Sequence, residues 1–225
     1  MTDLNKSGGV AALVCGATYV FGFALLVGLL MPAGFGAEGL SAEATLAAVA
    51  DNRGLVQLWY FVIYVVNAVF LAVLAVALAE HFRRSGAEGL SRLSIVTGTI
   101  WATLVLGAGM VMNVGLGRVL PLHDAGSPDA LLLWQVVELV ENGLGGGNEI
   151  AGGVWAIVAG LAGLATGALS RPLSIVPLII GVSGLLTVIP GLADIFGSIF
   201  GLGFIVWFFW VGAALLRLAP ASGRP

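Results

Sequence analysis

The sequence predicts an all-α integral membrane protein with six transmembrane helices and an extra short helix on the outer side. Its 225 residues are 59% hydrophobic and only 9% charged, whereas about 25% of the residues in a soluble domain are charged. Several stretches lack Asp, Glu, Lys and Arg over the ~20 residues that cross a ~30 Å hydrocarbon layer. The basic residues are shared unequally among the loops between these stretches. We therefore expect a single polytopic domain covering residues 1–225 in the cell membrane.

Six apolar stretches are each long enough to form one membrane-crossing helix. The predicted spans cover residues 10–32, 54–80, 93–117, 149–170, 172–190 and 195–217. The first span begins shortly after Lys6 and is longer than the core of a signal peptide, with no convincing small-residue cleavage site behind it. We therefore expect it to remain as the first helix.

Two short helices are predicted in the longer loops, at residues 41–52 and 129–142. Ser41 is the expected N-cap of the first, because a serine oxygen accepts hydrogen bonds from the free N–H groups of a first turn. The second is apolar apart from its acids and amides, and a glycine run at 143–147 follows it. Joined to the next span it would make one helix of ~60 Å, twice what a bilayer needs, so we expect the glycines to break it.

The positive-inside rule decides the orientation of the spans. With six spans, seven basic residues share one side and only Arg53 and Arg118 lie on the other. If 129–149 also crossed, the split would be four to five. The sequence therefore predicts six crossings, both termini in the cytoplasm, and the helix at 129–142 between the third and fourth spans on the outer side. Nine of the twelve acidic residues then lie outside.

The 34 glycines are best explained by close packing of helices in the membrane. Small residues four apart let lipid-embedded helices approach each other. Gly163 with Gly167, and Ala193, Gly197 and Gly201, have this spacing. We expect these faces to contact neighbouring helices, with a homo-oligomer or another membrane protein as a possible partner.

Several classes of chemistry are excluded by the residue counts. The single cysteine, Cys15, excludes an internal disulfide and a cysteine-based zinc site. His81 and His123 lie outside the longest apolar runs, so they do not supply a pair of haem ligands. Lys6 is the only lysine and precedes the first span, which excludes a buried Schiff base. No cofactor is predicted, and the absence of a Lys/Arg cluster argues against nucleic acid as a partner.

A polar stripe runs along the second predicted span. Gln57, Tyr60, Tyr64 and Asn67 are separated by three, four and three residues and therefore share one helical face. One interpretation is hydrogen bonding between helices, with the tyrosines at the membrane interface. The other is the wall of an outward-facing, water-filled cleft that binds a small cation or solute.

The short helix at 129–142 has its own polar face. Gln135, Glu138 and Asn142 fall within about 60° of one another on a helical wheel, with Glu141 beside them. This helix could lie at the interface with its acids in water. Alternatively, it covers the cleft and presents Glu138, with Glu141 as a second candidate. Surface anchors usually carry Lys and Arg on the polar face, and this helix has neither, which weakens the first interpretation.

Three other polar residues begin predicted spans and are expected to cap helices. Asn148 and Glu149 begin the fourth span, and Asp194 begins the sixth. Side-chain oxygens there satisfy free N–H groups, and a negative charge interacts favourably with the helix dipole. We expect capping rather than ligand binding at these positions.

Evidence for a metal site or a catalytic site is weak. His123 and Asp124 with the nearby glutamates lack the spacing of known metal motifs, so no metal site is predicted. The tetrapeptide Gly181–Gly184 has a GxSG pattern, but it lies inside a span and neither histidine is placed to act as its base. No catalytic residue is predicted, and an intramembrane enzyme is the weakest of the three functional hypotheses.

Four segments resemble uncharacterised bacterial multi-pass membrane proteins of the type called domain of unknown function 4386, and related actinobacterial hypothetical proteins. These segments are GLVQLWY at 54–60, GGGNEIAGGVW at 145–155, GVSGLLTVIP at 181–190 and GLGFIVWFFWVGAALLR at 201–217. They are framework strings rather than catalytic signatures. The resemblance implies a six-helix membrane fold and transfers no activity and no functional residues.

Two functional hypotheses therefore stand ahead of the enzyme. The first is a non-enzymatic membrane module, acting in the lipid bilayer as a partner, a sensor or a homo-oligomer. The second is a small transporter or channel for a cation, a proton or a small solute. Ionisable residues indicate function in a membrane protein only when they are buried, so the two hypotheses differ on the burial of the acids.

Overall fold

The computed structural model describes residues 3–35 and 39–218, and within these ranges the elements are helices and turns without a strand. The described chain contains nine α-helices. They are α1 (Asp3–Leu25), α2 (Ala42–Asp51), α3 (Arg53–Tyr60), α4 (Asn67–Arg84), α5 (Glu88–Asp124), α6 (Asp129–Glu141), α7 (Ile150–Thr166), α8 (Arg171–Leu186) and α9 (Ala193–Leu218).

Three segments depart from regular α-helix. The first π turn (Leu26–Leu30) continues α1, and the second π turn (Phe61–Val66) joins α3 to α4. The glycine turn (Asn142–Gly146) follows α6 and leaves the helical region at Gly145, whose φ is 138°. A positive φ of this size is readily adopted only by glycine. The break that the sequence predicts between residues 129–142 and the following span is therefore present.

The all-helical class is confirmed in the described chain, and five of its helical stretches are long and apolar enough to cross a membrane. They are Leu4–Leu30, Arg53–Arg84, Glu88–Asp124, Asp129–Thr166 and Ala193–Leu218. This is one fewer than the six spans expected from the sequence, because α8 has only 16 residues, fewer than the ~20 of a typical span. Residues 129–166 form one kinked stretch that contains the predicted fourth span.

The chain forms two compact units. Unit 1 contains Met1–Ala17, Val69–Thr103 and Asn148–Pro225, and unit 2 contains Thr18–Ala68 and Leu104–Gly147. Helices α1, α4 and α5 contribute residues to both. The two π turns and the glycine turn all belong to unit 2.

In unit 1, glycines let α7 and α8 pack backbone against backbone. A Cβ atom on Gly153 would lie 2.8 Å from the carbonyl oxygen of Gly181, and one on Gly160 would lie 2.7 Å from that of Ser174. Gly163 also faces the Ser174 side chain, as its small-residue spacing predicts. The same prediction is wrong for Gly167, which has a φ of 64° and ends α7 as a left-handed C-cap. It is also wrong for Gly197 of α9, where a Cβ atom would meet nothing within 4 Å.

An aromatic cluster fills the rest of the unit 1 core. Phe204 lies at its centre, with ring centroids 5.0 Å from Trp101 and 4.8 Å from Phe208. The indole Nε1 of Trp207 donates a hydrogen bond of 2.9 Å to the carbonyl oxygen of Leu173. The members of the cluster are Trp101, Trp155, Phe200, Phe204, Trp207 and Phe208, all buried.

Unit 2 has a core of aliphatic and aromatic side chains from α2, α3, α5 and α6, in which Val49, Met112 and Trp134 are fully buried. The predicted cap of α2 is confirmed, because the Ser41 hydroxyl oxygen accepts a 3.2 Å hydrogen bond from the amide of Ala44. At the end of α5, Asp124 accepts two hydrogen bonds of 2.9 Å from the Arg53 guanidinium.

Candidate functional site

Helix α6 turns inward a face other than its predicted polar face, contrary to the interpretation in which that polar face covers a cleft. Its buried residues are Ala130, Trp134, Val137 and Glu141, separated by four, three and four residues. Of the predicted polar face, Gln135 and Asn142 are exposed and Glu138 is half-buried. Glu141, expected only as the second candidate, is 4% exposed and is therefore the principal acid of this helix.

The Glu141 carboxylate accepts a hydrogen bond from the Tyr64 hydroxyl, which donates to Oε1. Tyr64 belongs to the second π turn and is half-buried. Its entry between the helices depends on Gly109 of α5, since a Cβ atom there would lie 2.7 Å from the Tyr64 Cβ. π-helical turns occur frequently at functional sites, where they re-aim side chains.

The glycine turn folds back over the end of α6. A Cβ atom on Gly146 would lie 2.8 Å from the Glu141 Oε2 and even closer to Oε1, so the carboxylate occupies the space that a side chain would need. The Gly147 amide donates a 3.1 Å hydrogen bond to the carbonyl oxygen of Asn142. By contrast, a Cβ atom on Gly143 would meet nothing within 4 Å. Glycine at 146 is therefore a steric requirement of the Glu141 position.

Glu141 has no cationic partner within residues 3–35 and 39–218. The ion pairs there join Arg53 with Asp124, Arg83 and Arg84 with Glu80, and Arg92 with Glu88. Of the nine Lys and Arg residues, only Arg224 lies outside the described ranges. Removing a carboxylate from water costs free energy unless the group is paired, hydrogen-bonded or neutralised by a proton. Glu141 has the hydrogen bond from Tyr64 and needs a further source of neutralisation.

The predicted polar stripe is divided between different environments. The Tyr60 ring is buried and stacks on Tyr64, with centroids 5.7 Å apart and an interplanar angle of 26°. Asn67 is 2% exposed, and its Nδ2 donates a 2.7 Å hydrogen bond to the Thr18 hydroxyl of α1. Gln57 is exposed at the opposite end. Asn67 thus connects α4 to α1. Tyr60 and Tyr64 lie between the exposed Gln57 and Glu141, and Tyr64 contacts Glu141.

A small pocket of unit 2 lies beside Tyr60. Its volume open to water is about 10 Å³, which matches a single water molecule. Asn113 of α5 also lines it and is not among the predicted site residues, although it is the only amide side chain of that helix and shares a face with Gly109 and Leu116. The lining residues are Gln57, Tyr60, Phe61, Val65, Gly109, Asn113 and Leu116.

The residues expected to cap helices behave differently from one another. Asn148 Oδ1 accepts a long hydrogen bond of 3.5 Å from the Ile150 amide at the start of α7. Glu149 occupies the N-cap position, but its carboxylate makes no capping bond, contrary to the prediction. Its amide instead donates a 3.0 Å bond to the Thr187 hydroxyl. Asp194 is exposed in the first turn of α9, where its charge interacts favourably with the helix dipole.

Two other sequence patterns can be placed in the structure. Within the described ranges, no group of three His, Cys, Asp or Glu side chains is close enough to hold a metal ion, and His123 Nδ1 lies 3.7 Å from an Asp124 oxygen. The serine of the GxSG pattern, Ser183, is buried in α8 and donates a 2.7 Å hydrogen bond to the carbonyl oxygen of Ile180. The Ser183 hydroxyl therefore forms its hydrogen bond within its own helix.

We refer to Tyr60, Tyr64, Glu141 and Gly146 as the carboxylate site. It combines a buried acid, a tyrosine donor and a glycine-dependent closure within unit 2. Comparison with protein-family models, curated proteins and solved structures found no match.

Proposed function

We propose that this chain is a six-span protein of the cell membrane with both termini in the cytoplasm and α6 on the outer side. The seven-to-two division of basic residues supports this topology. The apolar helices support the membrane location. In this proposal α8, although it has only 16 residues, is the fifth span, and the fold is that of the multi-pass proteins that the sequence resembles.

The topology is tested by fusing a reporter that is active only in the cytoplasm after Arg84, after Ser170 and at the C-terminus. All three fusions are expected to be active, because each position lies on the positively charged side. Activity after Arg84 but not at the C-terminus would mean that residues 129–149 cross the membrane, and the six-span topology would be wrong.

Within this topology, we propose that the protein is a non-enzymatic membrane module, a partner, sensor or homo-oligomer, whose functional centre is the carboxylate site. Polar side chains of unit 2 act mainly as contacts between helices. Asn67 donates to Thr18, and the Trp59 indole donates a 2.9 Å bond to the carbonyl oxygen of Gly22. Such contacts stabilise helix association in lipid. The observation that carries the module is the use of the buried Asn67 as a contact between helices, and the buried acid Glu141 marks the carboxylate site as its functional centre.

A second candidate function is transport of a cation, a proton or a small solute. The same buried carboxylate favours it, since acids inside membrane proteins often mark ion and proton pathways. The pocket beside Tyr60 admits about one water, so transport of a larger solute through this pocket would require it to widen.

Flux measurements in reconstituted vesicles separate the two functions. Vesicles containing the purified protein are loaded with a pH-sensitive or cation-sensitive dye and exposed to ion gradients. The module predicts flux equal to that of empty vesicles. Transport predicts flux that Glu141→Gln abolishes. The matched control Glu138→Gln, which changes a half-buried glutamate of the same helix, should retain the flux. Flux abolished by Glu141→Gln would make transport the function and contradict the module.

A further inference from the structure

The chemistry of the carboxylate site identifies its ligand. Glu141 is 4% exposed, accepts one hydrogen bond, and lacks a cationic partner in the described chain. A buried charge of this kind is normally paired, coordinated to a cation or neutralised by protonation. The shape of the site decides among these ways of neutralising the carboxylate.

We propose that Glu141 is a proton-binding carboxyl group, protonated on Oε2 while the Tyr64 hydroxyl donates to Oε1, and that it exchanges its proton with water when the glycine turn opens. The inference rests on the proposed function in one respect, that the carboxylate site is the functional centre. It adds the identity of the ligand, a proton, and the element that controls access to it.

The ligand set favours a proton over a metal cation. A hard cation such as Ca²⁺ needs about six to eight oxygen ligands. The hydrogen-bond partner of the Glu141 side chain is the Tyr64 hydroxyl, which turns its hydrogen toward the carboxylate and thus opposes a cation there. A proton needs one free oxygen, and Oε2 supplies it.

The neighbouring titratable groups are consistent with a single exchangeable proton. Tyr64 and Tyr60 face the site from the second π turn and α3, and Glu138 lies one turn earlier on α6. Helix α5 contributes Gly115 against Val137 of α6 and Gly107 against Leu144 of the glycine turn. Glu138 is half-buried and, unlike Glu141, does not lie on the inward face of the helix.

Proton exchange at this site is a simple acid–base step. A hydronium ion gives its proton to Oε2, one O–H bond breaks as the other forms, and water leaves. Release is the reverse reaction, and Tyr64 keeps its own proton throughout. In this proposal access to Oε2 requires Gly146 to move, because this residue lies against the carboxylate and leaves no room for a side chain.

Infrared difference spectroscopy on the full-length protein in lipid nanodiscs tests the protonation directly. The wild type is expected to show the C=O band of a protonated carboxyl group near neutral pH. Glu141→Gln should remove this band and Glu138→Gln should retain it. Identical spectra for wild type and Glu141→Gln across the pH range would overturn the proposal. If Glu141→Gln does not fold, Tyr64→Phe serves instead, because loss of the donor must shift the band while the carboxyl remains.

Exchanging the salt distinguishes a proton from a metal cation. In sodium chloride and in choline chloride of equal ionic strength, the carboxyl band is expected to be the same. Loss of the band in sodium, together with a sodium-dependent rise in the melting temperature that Glu141→Gln abolishes, would overturn the proton as ligand. Neither result depends on flux, so failure of this inference is distinguishable from failure of the proposed function.

A pair of glycine substitutions tests whether the glycine turn controls access to Glu141. Gly146→Ala places a methyl group where the carboxylate lies and is expected to speed hydrogen–deuterium exchange of the carboxyl group at least tenfold. Gly143→Ala, which meets open space in the same turn, should leave the exchange rate unchanged. Equal rates in both variants and the wild type would show that the glycine turn does not control access.

Discussion

Apolar helices pack in different ways in unit 1 and in unit 2. In unit 1, α7 and α8 approach backbone to backbone through glycines, and six large aromatic side chains fill the remaining space. In unit 2, two π turns and the glycine turn interrupt the helices, and the buried side chains include a glutamate. Regular helices stabilise a fold through continuous contact with their neighbours, whereas interrupted helices leave backbone and polar groups available for binding. The comparison supports our proposal that unit 1 is a scaffold and that unit 2 carries the functional site.

The largest effect is expected from truncating the unit 1 aromatic cluster. Phe204→Ala removes a fully buried ring and should lower the free energy of unfolding by about 3–5 kcal/mol, since the cavity refills only partly. Unfolding in mixed micelles of increasing denaturing detergent measures this change. Ile195→Ala on the exposed face of the same helix is the control. A loss below ~1 kcal/mol for Phe204→Ala would contradict the scaffold role.

A smaller loss is expected from adding one methyl group between α7 and α8. Gly153→Ala brings a Cβ atom within 2.8 Å of the Gly181 carbonyl oxygen, and backbone cannot move aside as a flexible side chain can. We expect a destabilisation of about 2 kcal/mol, as in other overpacked cores. Gly197→Ala in α9 meets open space and should be neutral or slightly stabilising. Equal stability of the two variants would mean that α7 and α8 are not in backbone contact.

In unit 2, the hydrogen bond of Asn67 should contribute less to the free energy of unfolding than the unit 1 contacts do. Asn67→Leu removes the hydrogen bond to Thr18, and polar contacts between membrane helices contribute about 1 kcal/mol. The same detergent titration measures the change, with Gln57→Leu at the exposed end of the stripe as the control. If Asn67→Leu were as stable as wild type, Asn67 would not hold these helices together, and the polar stripe would need a different explanation.

The sequence correctly predicts the features that depend on interactions between residues close together in the chain. Composition gives the all-helical membrane class, Ser41 caps its helix, and the glycine run breaks the chain after α6. These features depend on residues near one another in sequence, whose preferences act without help from the rest of the fold.

The site itself depends on contacts that sequence alone does not show. The helical wheel groups Glu138 with Gln135 and Asn142 on one polar face, so the sequence favours Glu138 over Glu141. The spacing of Ala130, Trp134, Val137 and Glu141 does place Glu141 on the apolar face, and this signal was available. What selects between the two acids is the approach of Tyr64 past Gly109, which a π turn makes possible. No local propensity predicts such a turn.

Hydrogen–deuterium exchange with mass spectrometry tests the difference between the units most directly. Segments that move for function are drawn from the less stable part of a structure and open more often. Amides of the second π turn and of residues 143–147 are expected to exchange at least about tenfold faster than amides of α7 and α8, a difference of about 1.4 kcal/mol in opening free energy. Equal protection of these segments would contradict the division into a rigid scaffold and a functional unit.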